Sequence, residues 1–122
     1  MKVLLSIKPA FAEQIFNGTK NYEFRRTIFK NKNIRTVIVY VSSPIQQVIG
    51  EFEIGEIIHA PLSILWKRTQ LNAGLSRKEF YKYFADKEKG YAIKIKKIRK
   101  YRKPLSLKKD FMVNPPQSFI YL

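Results

Sequence analysis

Residues 36 to 41 read Thr-Val-Ile-Val-Tyr-Val, six β-favouring residues with apolar side chains on both parities. A strand sends successive side chains to opposite faces, so this segment has no face to offer water and must be covered on both. It calls for a sheet with packing on each side, and the flanking segments supply the parts. Val3 to Lys8 alternates as a first strand, and Pro9 stands where a helix can begin, because its missing N–H would be unpaired there in any residue. Phe11, Ala12, Ile15 and Phe16 fall on one helical stripe, and Gly18 can adopt the left-handed cap that ends it.

Lys20 to Thr27 favours strand, with Tyr22 and Phe24 alternating against Glu23 and Arg25. A polar turn follows at Asn31 to Asn33, and Ser42-Ser43-Pro44 ends the apolar strand. Val48 to Ile58 reads as a long strand with Val48, Phe52 and Ile54 on one side and Glu51 and Glu53 on the other. Gly50 and Gly55 mark bends or bulges where a small sheet curls toward closure. Pro61 to Thr69 is expected to be a helix with Leu62, Leu65 and Trp66 inward. After Asn72-Ala73-Gly74, Ser76 and Glu79 have the spacing of a capping box, with Phe80, Tyr83 and Phe84 on the buried stripe. Lys87 to Gly90 reads as a turn, and Tyr91 to Lys103 as the last long strand. In that strand Ile93 and Ile95 share a parity that Ile98 breaks, so a bulge is expected near Lys96 and Lys97. The apolar tail from Asn114 to Leu122 is expected to pack against the sheet. No repeat or linker interrupts residues 1–122, which read as one domain.

The chain has 122 residues and no cysteine, which excludes disulfides, a thiolate nucleophile and thiolate metal sites. The apolar run at the N-terminus is too short for a signal-peptide core, and nothing approaches a membrane span, so a cytoplasmic protein without membrane contact is expected. The formal charge is +15, from 24 Lys and Arg against 9 Asp and Glu. Eleven of the 24 lie between Lys87 and Lys109, where Glu88 is the sole acid. A basic run of this kind is either a footprint for the phosphate backbone of a nucleic acid or a solvated, solubilising strand face.

Gly18, Lys20, Glu23 and Arg25 stand as G-x-K-x-x-E-x-R, directly after the first helix and at the start of β-rich sequence. On a regular strand Lys20 shares a side with Tyr22 and Phe24, and meets Glu23 and Arg25 only if the backbone twists or bulges. Glu23 beside Arg25 would stay ionised and orient a guanidinium whose fork suits phosphate or a base edge. The plain alternative is an ion pair that pins the helix–strand corner. Glu51 and Glu53 share a strand face and have no third acid or histidine near them in sequence, a weak basis for a metal site. They fit better as solvent-facing groups or as neutralisers of the neighbouring Lys-rich strand. His59 stands alone ahead of Pro61.

The motif resembles the signature of the ASCH domain, a family of the PUA-like superfold. The Leu-Ser-Ile-Lys-Pro entry, Gly50-Glu51-Phe52, Tyr91-Ala92-Ile93 and the Pro-Pro-Gln-Ser tail extend the resemblance over nearly the whole chain. It implies an α+β fold: a small PUA-like mixed β-barrel flanked by about three short helices. It implies further a cleft between barrel and helices that receives RNA, another nucleic acid or a modified nucleoside, in the setting of transcription or translation. On that reading Lys20, Tyr22, Glu23, Arg25 and Trp66 line the ligand site, and Lys94, Lys96, Arg99 and Lys100 extend the electrostatic track. No cofactor or metal is implied. The alternative is a hydrolase using Lys20 and Glu23, either a metal-independent ribonuclease or an amidohydrolase of modified nucleosides. In the amidohydrolase relatives a Thr nucleophile follows the Lys by three residues, where this chain has Glu23.

Overall fold

The computed structural model describes all residues, Met1–Leu122. Nine regular elements follow in chain order: β1 Val3–Ile7, α1 Pro9–Phe16, β2 Tyr22–Arg25, β3 Thr36–Val41, β4 Gln47–Pro61, α2 Leu62–Thr69, α3 Arg77–Phe84, β5 Lys89–Leu105 and β6 Phe119–Tyr121. The strands form one six-stranded sheet in the order β2-β5-β4-β3-β1-β6, curled into a half-barrel. Only β1 and β3 run parallel, joined by a crossover that includes α1 and β2. This is the mixed α+β barrel with three short α-helices that the sequence implies.

The inside of the half-barrel is filled from several strands at once. Val3, Leu5 and Ile7 of β1, Val37, Val39 and Val41 of β3, Phe52 of β4 and Ile93 of β5 meet Ala12 and Ile15 of α1. Phe29 and Ile34, from the loop after β2, close the same core. On the outside, Phe24, Ile58 and Ala92 take α2 and α3 through Leu62, Leu65, Phe80 and Phe84. Leu4, Ile38, Tyr40 and Val48 form a third cluster capped by Leu107. β3 is therefore buried on both faces, as its composition requires.

Three expectations are corrected. Val48 does not share a side with Phe52 and Ile54: Val48 joins the outer cluster, whereas Phe52 and Ile54 join the inner one. The pairing slips between Val48 and Gly50, and the extra residue, Ile49, reverses the parity. The segment Lys87 to Gly90 is not wholly a turn, because β5 already pairs from Lys89 with Pro61. The β2 strand spans only Tyr22–Arg25, shorter than Lys20 to Thr27. A π-helical turn, Leu107–Phe111, has no counterpart in the sequence reading. Its single buried side chain, Leu107, gives too little periodicity to detect.

The break near Lys96 and Lys97 is present. Glu53 pairs with Lys96 and Phe52 with Ile98, which leaves Lys97 as the extra residue at φ 45°. Gly50 answers a different demand. A Cβ there would lie 2.6 Å from the Arg99 carbonyl oxygen and 2.6 Å from the Phe16 ring, so β4, β5 and α1 approach one another only at a glycine. Gly50→Ala is expected to lower the urea unfolding free energy by about 1–3 kcal/mol, without the loss of sheet signal in circular dichroism that unfolding would bring.

Candidate functional site

Gly18, at φ 86°, ends α1 and turns the chain back so that the amides of Thr19 and Lys20 donate to the Gln14 carbonyl. Asn21 then donates to the carbonyl of Asn72, between α2 and α3. The Lys20 side chain follows the same route inward. Only 1% of the residue is exposed, its Nζ donates to the Ala73 carbonyl at 2.6 Å, and the ammonium lies 4.7 Å and 4.9 Å from the Phe11 and Phe24 ring centres. Gly74, at φ 76°, makes room for it, since a Cβ there would stand 2.8 Å from the lysine stem. Gln14 Oε1 is buried beside that stem without a hydrogen-bond partner.

Burial pulls the Lys20 ammonium down to about 8, against the raising field of Glu23. Burial pushes the Glu23 carboxyl up, opposed by Arg25 and by Lys20. The Arg25 Nη1 lies 3.3 Å from Glu23 Oε2 and also donates to the Ser6 carbonyl at 3.3 Å. Its Nη2 donates to the Ser118 carbonyl at 3.2 Å and to the Ser118 hydroxyl at 2.7 Å. Four of the five guanidinium N–H groups are thus engaged by the chain itself. The Pro-Pro-Gln-Ser tail stands out in the sequence, but not the contact of its Ser118 with Arg25: the two lie 93 residues apart. Tyr83 donates to the Phe24 carbonyl, and the Arg26 guanidinium lies 5.2 Å from its ring centre.

The remaining candidates separate by face. Residues paired across neighbouring strands share a face, and β4 and β5 fix the sides. Ile93 and Ile95 belong to the inner core and its fringe, so Lys94 and Lys96 point outward. The extra residue Lys97 restores the parity, and Arg99, opposite Glu51, points outward too. Lys94, Lys96 and Arg99 therefore form one exposed outer row, with Glu53 opposite Lys96. Lys100 points the other way, into a groove of about 510 Å³ with Phe16, Asn17 and Ile49. Tyr22 lies opposite Lys94 and is half-buried. Trp66 packs on Phe80 at 5.1 Å, at the fringe of the helix-side core. Glu51 accepts from the Tyr101 hydroxyl at 2.8 Å and lies 3.7 Å from Lys2.

The chain belongs to the ASCH domain family, whose family model matches residues 5–102. It is 31% identical, over 99% of its own length and 84% of the relative's, to an ASCH domain-containing ribonuclease of Zymomonas mobilis. The crystal structure of ASCH from Zymomonas mobilis superposes with a TM-score of 0.90 at 30% identity, covering 99% of this chain and 87% of that one. The chain is also 35% identical, over 98% of its length, to large ribosomal subunit protein uL22 of Ureaplasma parvum. It spans only 39% of that protein. No helix is long and apolar enough to cross a membrane.

Two outcomes follow from the corner. Arg25→Ala leaves the Glu23 carboxyl buried without its partner and is expected to cost about 3–5 kcal/mol in urea unfolding. Arg25→Lys should recover little of it, because an ammonium cannot reach Ser6, Glu23 and Ser118 together. For Lys20, the folded chain releases its proton near pH 8 and the unfolded chain near the ordinary 10.5. Between those values the unfolded chain holds the extra proton, so stability rises with pH across that window. Against a Lys20→Met variant, the wild type should gain about 3 kcal/mol between pH 8 and 10.5, read from paired urea titrations.

Proposed function

We propose that this chain binds RNA. The observation that carries the reading is the exposed outer row Lys94, Lys96 and Arg99, set on a protein of net charge +15. Cations in a row on one strand face act together on an extended phosphate backbone, and each phosphate neutralised releases counterions. Similarity over nearly the whole chain to a protein named as a ribonuclease favours RNA over other polyanions.

Ribonuclease activity is the second reading, and one feature of the corner favours it. Burial moves Lys20 down and Glu23 up, so their protonation ranges draw toward each other. Groups tuned in this way serve general acid–base chemistry, and metal-free RNA cleavage needs such groups near the 2′-hydroxyl with a cation near phosphate. The Ser118 hydroxyl and the Arg25 guanidinium stand beside Glu23 at the open seam between β2 and β6. Lys20 itself is enclosed, so a catalytic use requires the Asn72–Gly74 segment to move off it.

Both readings are tested in one set of titrations with labelled single-stranded RNA, duplex RNA and DNA at several salt concentrations. Binding is expected to weaken linearly in log salt. Replacing Lys94, Lys96 and Arg99 together by Ala should lower that slope by about 2, at roughly 0.7 per phosphate contact. An unchanged slope would remove the row from the interface. Cleavage products that vanish in Glu23→Gln, with RNA affinity and unfolding midpoint retained, would make the chain a ribonuclease. Intact RNA in every tube leaves it a binder.

A further inference from the structure

β4 and β5 run on past the last pairing with β3, and their projecting ends carry a cluster that neither reading above uses. His59 lies opposite Tyr91, and Tyr91 lies opposite Arg25 on its other side. The face is fixed by the neighbours. Gly90 is pressed against the Phe84 ring and Ala92 belongs to the helix-side core, so Lys89 and Tyr91 point away from the helices. Ile58 and Ala60 pack into that same core, which turns His59 to the same side as Tyr91. The two rings stack with centres 4.1 Å apart and planes 8° from parallel. His59 and Lys89 are exposed, and Tyr91 is half-buried.

Core packing does not account for this pair. An exposed imidazole on a half-buried phenol covers little apolar area, and its outer ring face is left to water. The hydroxyls of Tyr83, Tyr101 and Tyr121 are engaged by the chain; the Tyr91 hydroxyl, like those of Tyr22, Tyr40 and Tyr81, makes no hydrogen bond within the chain, and neither do the two His59 nitrogens. A flat aromatic face with unpaired donors and acceptors at its rim, beside a cation on the same strand face, is the arrangement that receives an unstacked base.

We propose that the His59–Tyr91 stack is a subsite for one unpaired nucleobase of single-stranded RNA, with Lys89 on the adjoining phosphate. This rests on the RNA-binding reading and deepens it by naming the strand type and the contact. The base continues the stack on the open face of His59, and the free imidazole nitrogens and Tyr91 hydroxyl meet its polar edge. Arg25 borders the subsite without holding the phosphate, since four of its five N–H groups are already committed to Glu23, Ser6 and Ser118. A duplex is excluded because its bases cannot be splayed onto the ring without breaking their pairs.

The test uses a short single-stranded RNA containing 2-aminopurine, whose fluorescence falls on stacking, titrated with the intact protein. Wild type is expected to quench it on binding. His59→Ala should weaken binding about 5- to 100-fold and abolish the quench, with the salt slope unchanged because no charge on the track is lost. His59→Phe, which keeps a ring face, should retain most of both signals. Lys89→Ala should instead make the salt slope shallower by about 0.7. His59 is exposed, so these variants keep the fold, checked by circular dichroism. Wild-type binding that His59→Ala leaves intact overturns the subsite and leaves RNA binding standing. A His59→Phe loss as deep as that of His59→Ala overturns stacking, and equal affinity for duplex overturns the choice of strand. No RNA binding by wild type removes the subsite together with the reading beneath it.

Discussion

The half-barrel is open between its edge strands β2 and β6, and the Arg25 guanidinium is what spans that seam. From β2 it reaches the Ser6 carbonyl at the end of β1 and both the carbonyl and hydroxyl of Ser118 just ahead of β6. Three elements far apart in sequence meet at this one planar group. Glu23 supplies the counter-charge that lets a guanidinium sit there away from water. Such a pair adds little net stability over apolar packing, yet removing one member leaves a charge stranded. It determines which edges meet more than how tightly they hold.

The same corner joins the barrel to the helices. Lys20 crosses from the start of β2 to the Ala73 carbonyl, between the Phe11 ring of α1 and the Phe24 ring of the helix-side core. Gly74 yields the space for its stem, so the loop between α2 and α3 is shaped around a lysine. The three charged side chains of the motif thus run in series from the helix layer through β2 to the seam. Their chemistry is largely inward. The outward chemistry lies on β5, whose outer face presents cations and whose projecting end presents a stacked ring pair with β4.

Much of the architecture was legible. Periodicity placed β1, α1, β3 and α3, and the Ser76–Glu79 capping box is present in full. The composition of β3 announced coverage on both faces, and the parity break at Ile98 announced the bulge at Lys97. The reversal of Val48 against Phe52 was not legible, because one added residue in a strand leaves no mark in composition, only in register. The Arg25–Ser118 contact and the Tyr91–His59 stack were hidden for another reason: each is a meeting of segments tens of residues apart, and no local pattern says which residues will pair.

By itself the sequence determined the β-rich body with three short helices, the positive charge, and the presence of a Lys-Glu-Arg motif behind a glycine stop. These depend on side-chain alternation, helix caps and charge counts, which act over a few residues. Only the tertiary structure decided what the motif touches: a buried lysine held by a loop carbonyl, and an arginine spent on closing the sheet. Burial and partnership are properties of the curled sheet, which brings together residues that no short stretch of sequence can relate.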